Sequence, residues 1–481
     1  MASVKTNLAY NVTNNVLRVL FPLITAPYVT RVLSPADLGL YAFGFSVATY
    51  FALFAALGIP YYGAREIAKV KDNMAKTNRL FSELFSIAVI ATLLMTVFYM
   101  ACLLCIGQFQ QQWGFFLLVG MVLYCSPFNI DWFYEGTENF KAIAIRSVVV
   151  RVLSLIMLFA LVRTKDDLLW YAIITILSVI LSDIWNFVVL IREGYSVKLK
   201  IRGLKHHMKP LVLLFVSTIA ASVYTMFDRV MLGILAPYQQ VAFYHYAMEI
   251  TKILLMAITS LSVVVLPRIS SYVASQQRDK SEQLIQKSCS LVIFFSIPIA
   301  MGMIILAPVG LPLFLGDHYM ASVLPLQILS CLLIFIGLNN IFAVQCLVAF
   351  GFDRLFLYSI LTGAVTNFAL NLFLIPNWGA IGASVASAVA ELFVLVVAFY
   401  YVYHRVGLRL NVSQEFIITF FTVLVFLPIY YLLSPIVSGW GLVICFAVAA
   451  SFMYLTIQYY AKNSTLLILA EQLHKVFPKC L

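Results

Sequence analysis

Charge is scarce in this sequence: only 11% of its 481 residues are Asp, Glu, Lys or Arg, against roughly 25% in an ordinary soluble chain. That shortage excludes a solvated globular surface. Motifs for covalent chemistry are missing as well. There is no G-x-x-x-x-G-K-[ST] loop, so this chain hydrolyses no ATP. There is no aspartate-rich motif to hold a diphosphate through Mg²⁺, and no G-x-S-x-G or H-E-x-x-H. The eight cysteines are scattered, most inside apolar runs (Cys102, Cys105, Cys125, Cys331, Cys346, Cys445), and none stands at metal-ligand spacing with histidine. We expect no catalytic residue, no cofactor, no metal and no structural disulfide. Residues 1–10 lack the charged start, short apolar core and small-residue site of a cleavable signal, so the first apolar stretch reads as a retained helix.

What the chain has instead is hydrophobicity: 63% of residues are apolar and the mean hydropathy is +0.98. A spanning helix needs about 20 residues. About fourteen of them with short connections use the whole length, which leaves no room for a soluble domain of about 100 residues. Apolar runs broken by charge, Pro or Gly place the spans at roughly 10–33, 40–59, 81–106, 114–134, 143–162, 169–191 and 210–235, then 241–267, 288–312, 323–350, 355–376, 379–402, 415–433 and 439–460. The reading is an all-α integral membrane protein.

The net charge of +11 and pI near 9.2 belong to basic loops facing an anionic cytoplasmic leaflet rather than to nucleic-acid binding. With the N-terminus inside, about 24 of the 31 Lys and Arg fall in cytoplasmic loops and tails and about 3 outside. Both termini are therefore expected in the cytoplasm. External loops such as Ser34-Pro35-Ala36-Asp37 and Gly316-Asp317-His318 are short, too short to build an extracellular enzyme site. The longest basic loop, 192–209, divides the first twelve spans six and six. A weak echo, Leu33-Ser34-Pro35 against Leu235-Ala236-Pro237, supports an internal repeat of the kind secondary transporters use. The organisation read from this is a six-helix lobe over 1–191, a basic linker over 192–209, a second six-helix lobe over 210–403, two further helices over 404–461 and an amphipathic cytoplasmic tail over 462–481.

Polar residues inside spans carry the functional signal, because charge at mid-membrane costs several kcal/mol unless it meets water or a partner. Asn7, Asn11, Asn14 and Arg18 share one helical face in span 1, and Thr25 continues it. Thr218, Ser222, Thr225 and Arg229 repeat the spacing in span 7, with Asp228 alongside. These faces read as walls of a hydrophilic cavity, with helix–helix hydrogen bonds and an internal Arg229–Asp pair as the alternative. In span 8, His245, Glu249 and Lys252 share a face: the last two neutralise each other, or Glu249 titrates while Lys252 meets an anion. Ser147, Arg151 and Ser154 share a face in span 5, with Arg146 nearer the cytoplasmic end. Asp183 with Asn186 in span 6, and Glu391 in span 12, are intramembrane acids open to either a structural or a coupling role.

Four stretches carry a resemblance. They are Arg31-Val-Leu-Ser-Pro-Ala-Asp-Leu-Gly-Leu-Tyr41, Tyr62-Gly-Ala-Arg-Glu-Ile-Ala-Lys69, Asp131-Trp-Phe-Tyr-Glu-Gly-Thr-Glu138, and Asn367 to Pro376 followed by Gly379-Ala-Ile-Gly-Ala-Ser384 and Glu391. With Gln345 to Arg354, they make the chain resemble the Wzx-like oligosaccharide-repeat-unit flippases of the multidrug/oligosaccharidyl-lipid/polysaccharide exporter superfamily. The resemblance implies two pseudo-symmetric six-helix lobes in a V-shaped, alternating-access arrangement in a bacterial inner membrane. It implies a cargo of undecaprenyl-diphosphate-linked oligosaccharide (O-antigen or capsule units), moved from the cytoplasmic to the outer leaflet, with the pathway's polymerase as a partner. On that reading Asn11, Asn14, Arg18, Arg151, Arg229 and Lys252 bind the diphosphate and glycan, since Arg offers planar bidentate donors to phosphate. Glu249, Asp228, Asp183, His245 and Glu391 are the candidates for ion coupling. Related lipid II flippases carry a second basic residue soon after the first in span 1; here none follows Arg18 before Arg31, which argues against lipid II as cargo. The rivals are a drug/cation antiporter of the same superfamily and, from another class, a membrane-bound polymerase or glycosyltransferase.

Overall fold

The computed structural model describes residues 20–200, 203–408, 413–463 and 465–467, apart from the side chains of 140–142, 144, 216–226 and 261–264. Asn7, Asn11, Asn14, Arg18 and nearly all of the expected amphipathic tail lie outside the described residues. Among those described, the regular structure is entirely helical, and ten helical segments are long and apolar enough to cross a bilayer. They follow the apolar runs closely: the expected 81–106 is Met74–Cys105, 169–191 is Leu168–Arg192, and 439–460 is Gly439–Tyr460. Large apolar side chains such as Val97, Phe98 and Phe373 stand exposed on helix surfaces, as a lipid-facing surface requires. This is a multi-pass membrane protein.

The chain divides into two compact units, Met1–Ala242 and Phe243–Leu481. Helix Lys205–Leu235, which opens the second half by topology, packs with the first unit. Glycine makes that possible. A Cβ at Gly233 would lie 2.1 Å from the Phe43 ring, and one at Gly39 would lie 1.7 Å from the Tyr238 carbonyl oxygen, so the backbones approach as only small residues allow. The Leu-Ser-Pro motif starts helix Pro35–Ala56: Ser34 Oγ accepts the Asp37 N–H (3.2 Å) and donates to its carboxylate (2.6 Å), and Pro35 fills a position whose N–H has no helical partner.

In the second unit, segment Asp353–Val406 is a hairpin of two spans. A Cβ on Gly382 would stand 2.3 Å from the Leu374 carbonyl, whereas residues so separated in a straight helix lie about 12 Å apart. The reversal falls at Gly379, at φ 53° and ψ −125°, a backbone state that side chains oppose. Helix Arg278–Leu315 holds three internal prolines, and each removes the N–H that would meet the carbonyl four residues back. Two of the freed carbonyls find replacements: Tyr454 Oη donates to Phe294 O (2.7 Å), opposite Pro298, and Gln327 Nε2 donates to Ile304 O (2.8 Å), opposite Pro308. The first contact joins the last helix to the core of Phe294, Phe426 and Phe446.

Candidate functional site

In the first unit, the span Trp113–Gly136 is broken midway along its length. Short helices Trp113–Val119 and Met121–Tyr124 give way to a tight turn at Ser126–Phe128, then to non-helical Asn129 and Ile130, before Asp131–Gly136 resumes. Pro127 contributes to the break. Irregular backbone at membrane depth is tolerated only where protein buries it or it lines a polar cavity. Here it borders a cavity of about 290 Å³, whose walls include Thr49, Phe85, Ser126, Asn129, Trp132 and Asp183. Gly63 and Gly136 let helix Ile59–Val70 seat against this segment: a Cβ on Gly63 would meet the Trp132 ring at 2.4 Å, and one on Gly136 the Ala64 carbonyl at 2.8 Å.

Behind the break stands a charge network. Arg146, 4% exposed, grips Asp131 with both terminal nitrogens (2.9 and 3.4 Å) and also donates to Ser182 O (3.2 Å). Asn186 Nδ2 adds a 2.6 Å bond to Asp131. Asp183, buried on the same helix as Asn186, lies beside the Asn129 side chain and within electrostatic reach of Asp131 and Arg146. The guanidinium bonds one carboxylate, Asp131, while Asp183 lies within its field.

The second unit repeats part of this. Asn339 Nδ2 donates to Glu391 Oε2 (2.5 Å) and to the Glu391 carbonyl (3.1 Å). Asn339 immediately precedes Asn340–Val348, a π-helical stretch and therefore another departure from α geometry. Asp183-Ile-Trp-Asn-Phe-Val-Val189 matches Glu391-Leu-Phe-Val-Leu-Val-Val397 in chemical character except at Asn186, where the second has Val394. In each half an intramembrane acid stands beside an asparagine two spans earlier in the chain, at or next to a departure from α geometry.

The expected residues fall into two sets. Arg151 is half-buried on Phe140–Leu161, and Asp228 and Arg229 are buried on Lys205–Leu235; together with Asp183 they belong to the first unit. His245, Glu249 and Lys252 are half-buried on Tyr238–Ala274 and, with Glu391, belong to the second. Lys252 Nζ stands 3.6 Å from Glu249, the mutual neutralisation their spacing allows. Sequence reasoning placed Arg146 at the margin and gave Asp131 and Asn129 no role. The available signal was a carboxylate at the end of one apolar run and a guanidinium inside the next.

One further cluster lies where the basic linker meets the bundle. Tyr62 Oη is 2.8 Å from His207 Nδ1, and His207 Nε2 is 3.2 Å from Glu83 Oε2. Burial pushes the His207 imidazole below its ordinary range and outweighs its hydrogen bond to Glu83. Ligand atoms of Glu83, His206 and His207 all lie within 4.8 Å of one another, a donor set that suits a divalent ion by type. Glu83 Oε1, however, already meets Arg79 (3.0 Å) and Lys200 (3.6 Å), and these cations oppose a further positive charge. We assign no metal to it.

The profile of the family described as "Polysaccharide biosynthesis protein" matches residues 4–273, and that of MatE matches residues 214–373. A candidate O-antigen transporter of Escherichia coli (strain K12) is 24% identical over 383 residues, covering 77% of this chain and 90% of the relative. A probable low-salt glycan biosynthesis flippase, Agl15 of Haloferax volcanii, is 23% identical over 199 residues, covering 41% of this chain and 42% of the relative. In structure, the chain superposes on the lipid II flippase MurJ in an inward closed conformation (TM-score 0.77, 15% identity, 95% of this chain and 99% of that one). It also superposes on an inward-facing multidrug resistance MATE family transporter (TM-score 0.61, 13% identity, 85% and 96%). The fold is that of these transporters.

Proposed function

The chain belongs to the polysaccharide biosynthesis protein family, and from that premise we propose that it flips undecaprenyl-diphosphate-linked oligosaccharide from the cytoplasmic to the outer leaflet of a bacterial inner membrane. The observation that carries this reading is full-length likeness to a flippase fold joined to sequence similarity with a candidate O-antigen transporter. Its relatives are transporters rather than enzymes. On this reading the chain makes fourteen crossings with both termini inside, works by alternating access, and meets the pathway's polymerase when it releases cargo.

The diphosphate must leave water, and basic side chains held in a low-dielectric wall are its natural partners. Arg18, Arg151, Arg229 and Lys252 take that role, with Asn11 and Asn14 facing the glycan. An empty basic cavity moving through the membrane potential costs about 2.3 kcal/mol per charge per 100 mV; an acid that takes up a proton or cation makes that step respond to an ion gradient. Asp183 leads the coupling candidates, since the Arg146 guanidinium within its reach is already bonded to Asp131, whereas Glu249 has Lys252 beside it. Asp228, His245 and Glu391 follow.

The test is complementation in a strain lacking its own O-antigen or capsule flippase but making matching repeat units. Restored surface polysaccharide supports the reading; a correctly inserted protein that restores none across several repeat-unit chemistries overturns it. The MatE match over 214–373 favours a second reading, a drug/cation antiporter. Efflux of cationic dyes without any gain of surface polysaccharide would select it.

A further inference from the structure

The basic linker after helix Leu168–Arg192 looks, by sequence, like a tether between two halves. In the structure it is fastened. Gly194, at φ 87°, turns the chain out of the helix while Tyr195 N–H reaches back to Leu190 O (3.3 Å), a left-handed helix ending that glycine accommodates. Residues 195–200 then run extended beside helix Met74–Cys105. Three successive alternate amides are caught by side chains one helical turn apart: Ser196 N–H by Asn78 Oδ1 (3.2 Å), Lys198 N–H by Ser82 Oγ (3.2 Å) and Lys200 N–H by Ser86 Oγ (2.8 Å).

The match is geometric. Two extended residues advance about 6.6 Å and four helical residues about 6.0 Å, so the two ladders stay in register over three rungs. The intervening amides of Val197 and Leu199 have no hydrogen bond among the described residues. Tyr195 and Val197 turn inward onto the core of Phe81, Phe85 and Trp132, with the Tyr195 ring 5.0 Å from that of Phe133. The strap ends where His207, at the start of helix Lys205–Leu235, is clasped between Tyr62 and Glu83.

That helix is then held near both of its ends. Gly58 abuts the Leu211 carbonyl and the Phe215 amide, Gly233 lies under Phe43, and Gln108 donates to the Gly233 carbonyl. Beyond it, Tyr238 stacks on Phe43 with ring centroids 5.7 Å apart. These contacts fasten both ends of the helix among its described residues.

We propose that residues 195–200 are a fixed strap that keeps the start of helix Lys205–Leu235 fastened to the first unit throughout the working cycle, so that the long basic linker is not where the chain flexes. The part concerning the cycle rests on the flippase reading; the strap itself does not.

Two measurements on the full-length protein in lipid vesicles test it. Residue-resolved hydrogen exchange should show Ser196, Lys198 and Lys200 exchanging about tenfold or more slowly than Val197 and Leu199. Ser82→Ala should release the Lys198 amide and Ser86→Ala that of Lys200, with the helices intact. Uniformly fast exchange across 195–200 overturns the strap. The second measurement joins Asn78→Cys to Ser196→Cys with a short, cleavable thiol reagent, single-cysteine proteins serving as controls. Flipping of undecaprenyl diphosphate bearing a fluorescent disaccharide is then followed. Transport within about twofold of the uncross-linked protein is expected. Transport lost on cross-linking and regained on cleavage overturns the fixed strap and makes it a gate. If the uncross-linked protein moves no lipid at all, the flippase reading fails, and the alternating exchange pattern still decides the strap.

Discussion

At the scale of the residue, this protein pays for its helix-breaking prolines with side chains supplied by distant helices. Tyr454→Phe leaves the Phe294 carbonyl buried without a donor, which costs about 1–3 kcal/mol; unfolding followed in detergent should show the loss. Pro298→Ala in the Tyr454→Phe background brings an N–H to the same carbonyl, so the double variant should recover most of the stability. If it does not, Tyr454 acts through packing alone. The intramembrane acids make a separate expectation. Asp183→Asn should insert normally yet slow transport and flatten its dependence on an imposed proton or sodium gradient, measured in reconstituted vesicles. Glu249→Gln should disturb transport without removing that dependence, because Lys252 already balances Glu249. The reverse outcome would move the coupling role to span 8.

At the scale of the element, the strap and its clasp have a pH signature. His207 is held below its ordinary value of about 6.5 by burial, so the open form binds a proton more readily than the clasped form. The clasp is therefore most stable above pH 6.5 and weakens as pH falls through that value. The groups facing His207 are Glu83, His206, Glu66 and the Tyr62 hydroxyl. Exchange at Ser196, Lys198 and Lys200, corrected for intrinsic rates, should accelerate between pH 7.5 and 5.5, and His207→Gln should remove the change. None of this was readable from the chain. Asn78, Ser82 and Ser86 look like an unremarkable polar stripe near the start of an apolar run, and the partners they hold lie more than a hundred residues downstream.

At the scale of the whole molecule, the expectations concern orientation and cargo. Reporter fusions at Ser34 and Asp317 should both read as external; a cytoplasmic signal at either would invert the topology. Alanine at Arg18, Arg151 and Arg229 together should abolish surface polysaccharide at normal protein levels, while lysine at the same positions should retain part of it, because charge survives and bidentate geometry does not. Wild-type polysaccharide from the triple alanine protein would remove these residues from the binding site.

The ten apolar helices long enough to cross and the membrane setting were legible in the sequence by itself, because burial in lipid imposes a length and a composition that local residues must satisfy one by one. Even the reversal at Gly379 was marked, by Pro376 and the glycines that follow it. The resemblance to a flippase family rested on short stretches whose structural sense is now visible: Ser34 and Pro35 start a helix, while Gly39, Gly63 and Gly136 admit a neighbour's backbone or ring. Only the tertiary structure decided which charges meet. Arg146 finds Asp131 across a break in one helix, Asp183 and Glu391 each find an asparagine from two spans earlier, and helix Lys205–Leu235 joins the unit before it rather than the half it begins. Helical periodicity fixes the face on which a residue stands, but the neighbour opposite that face is set by how the helices pack, and that packing depends on the whole chain.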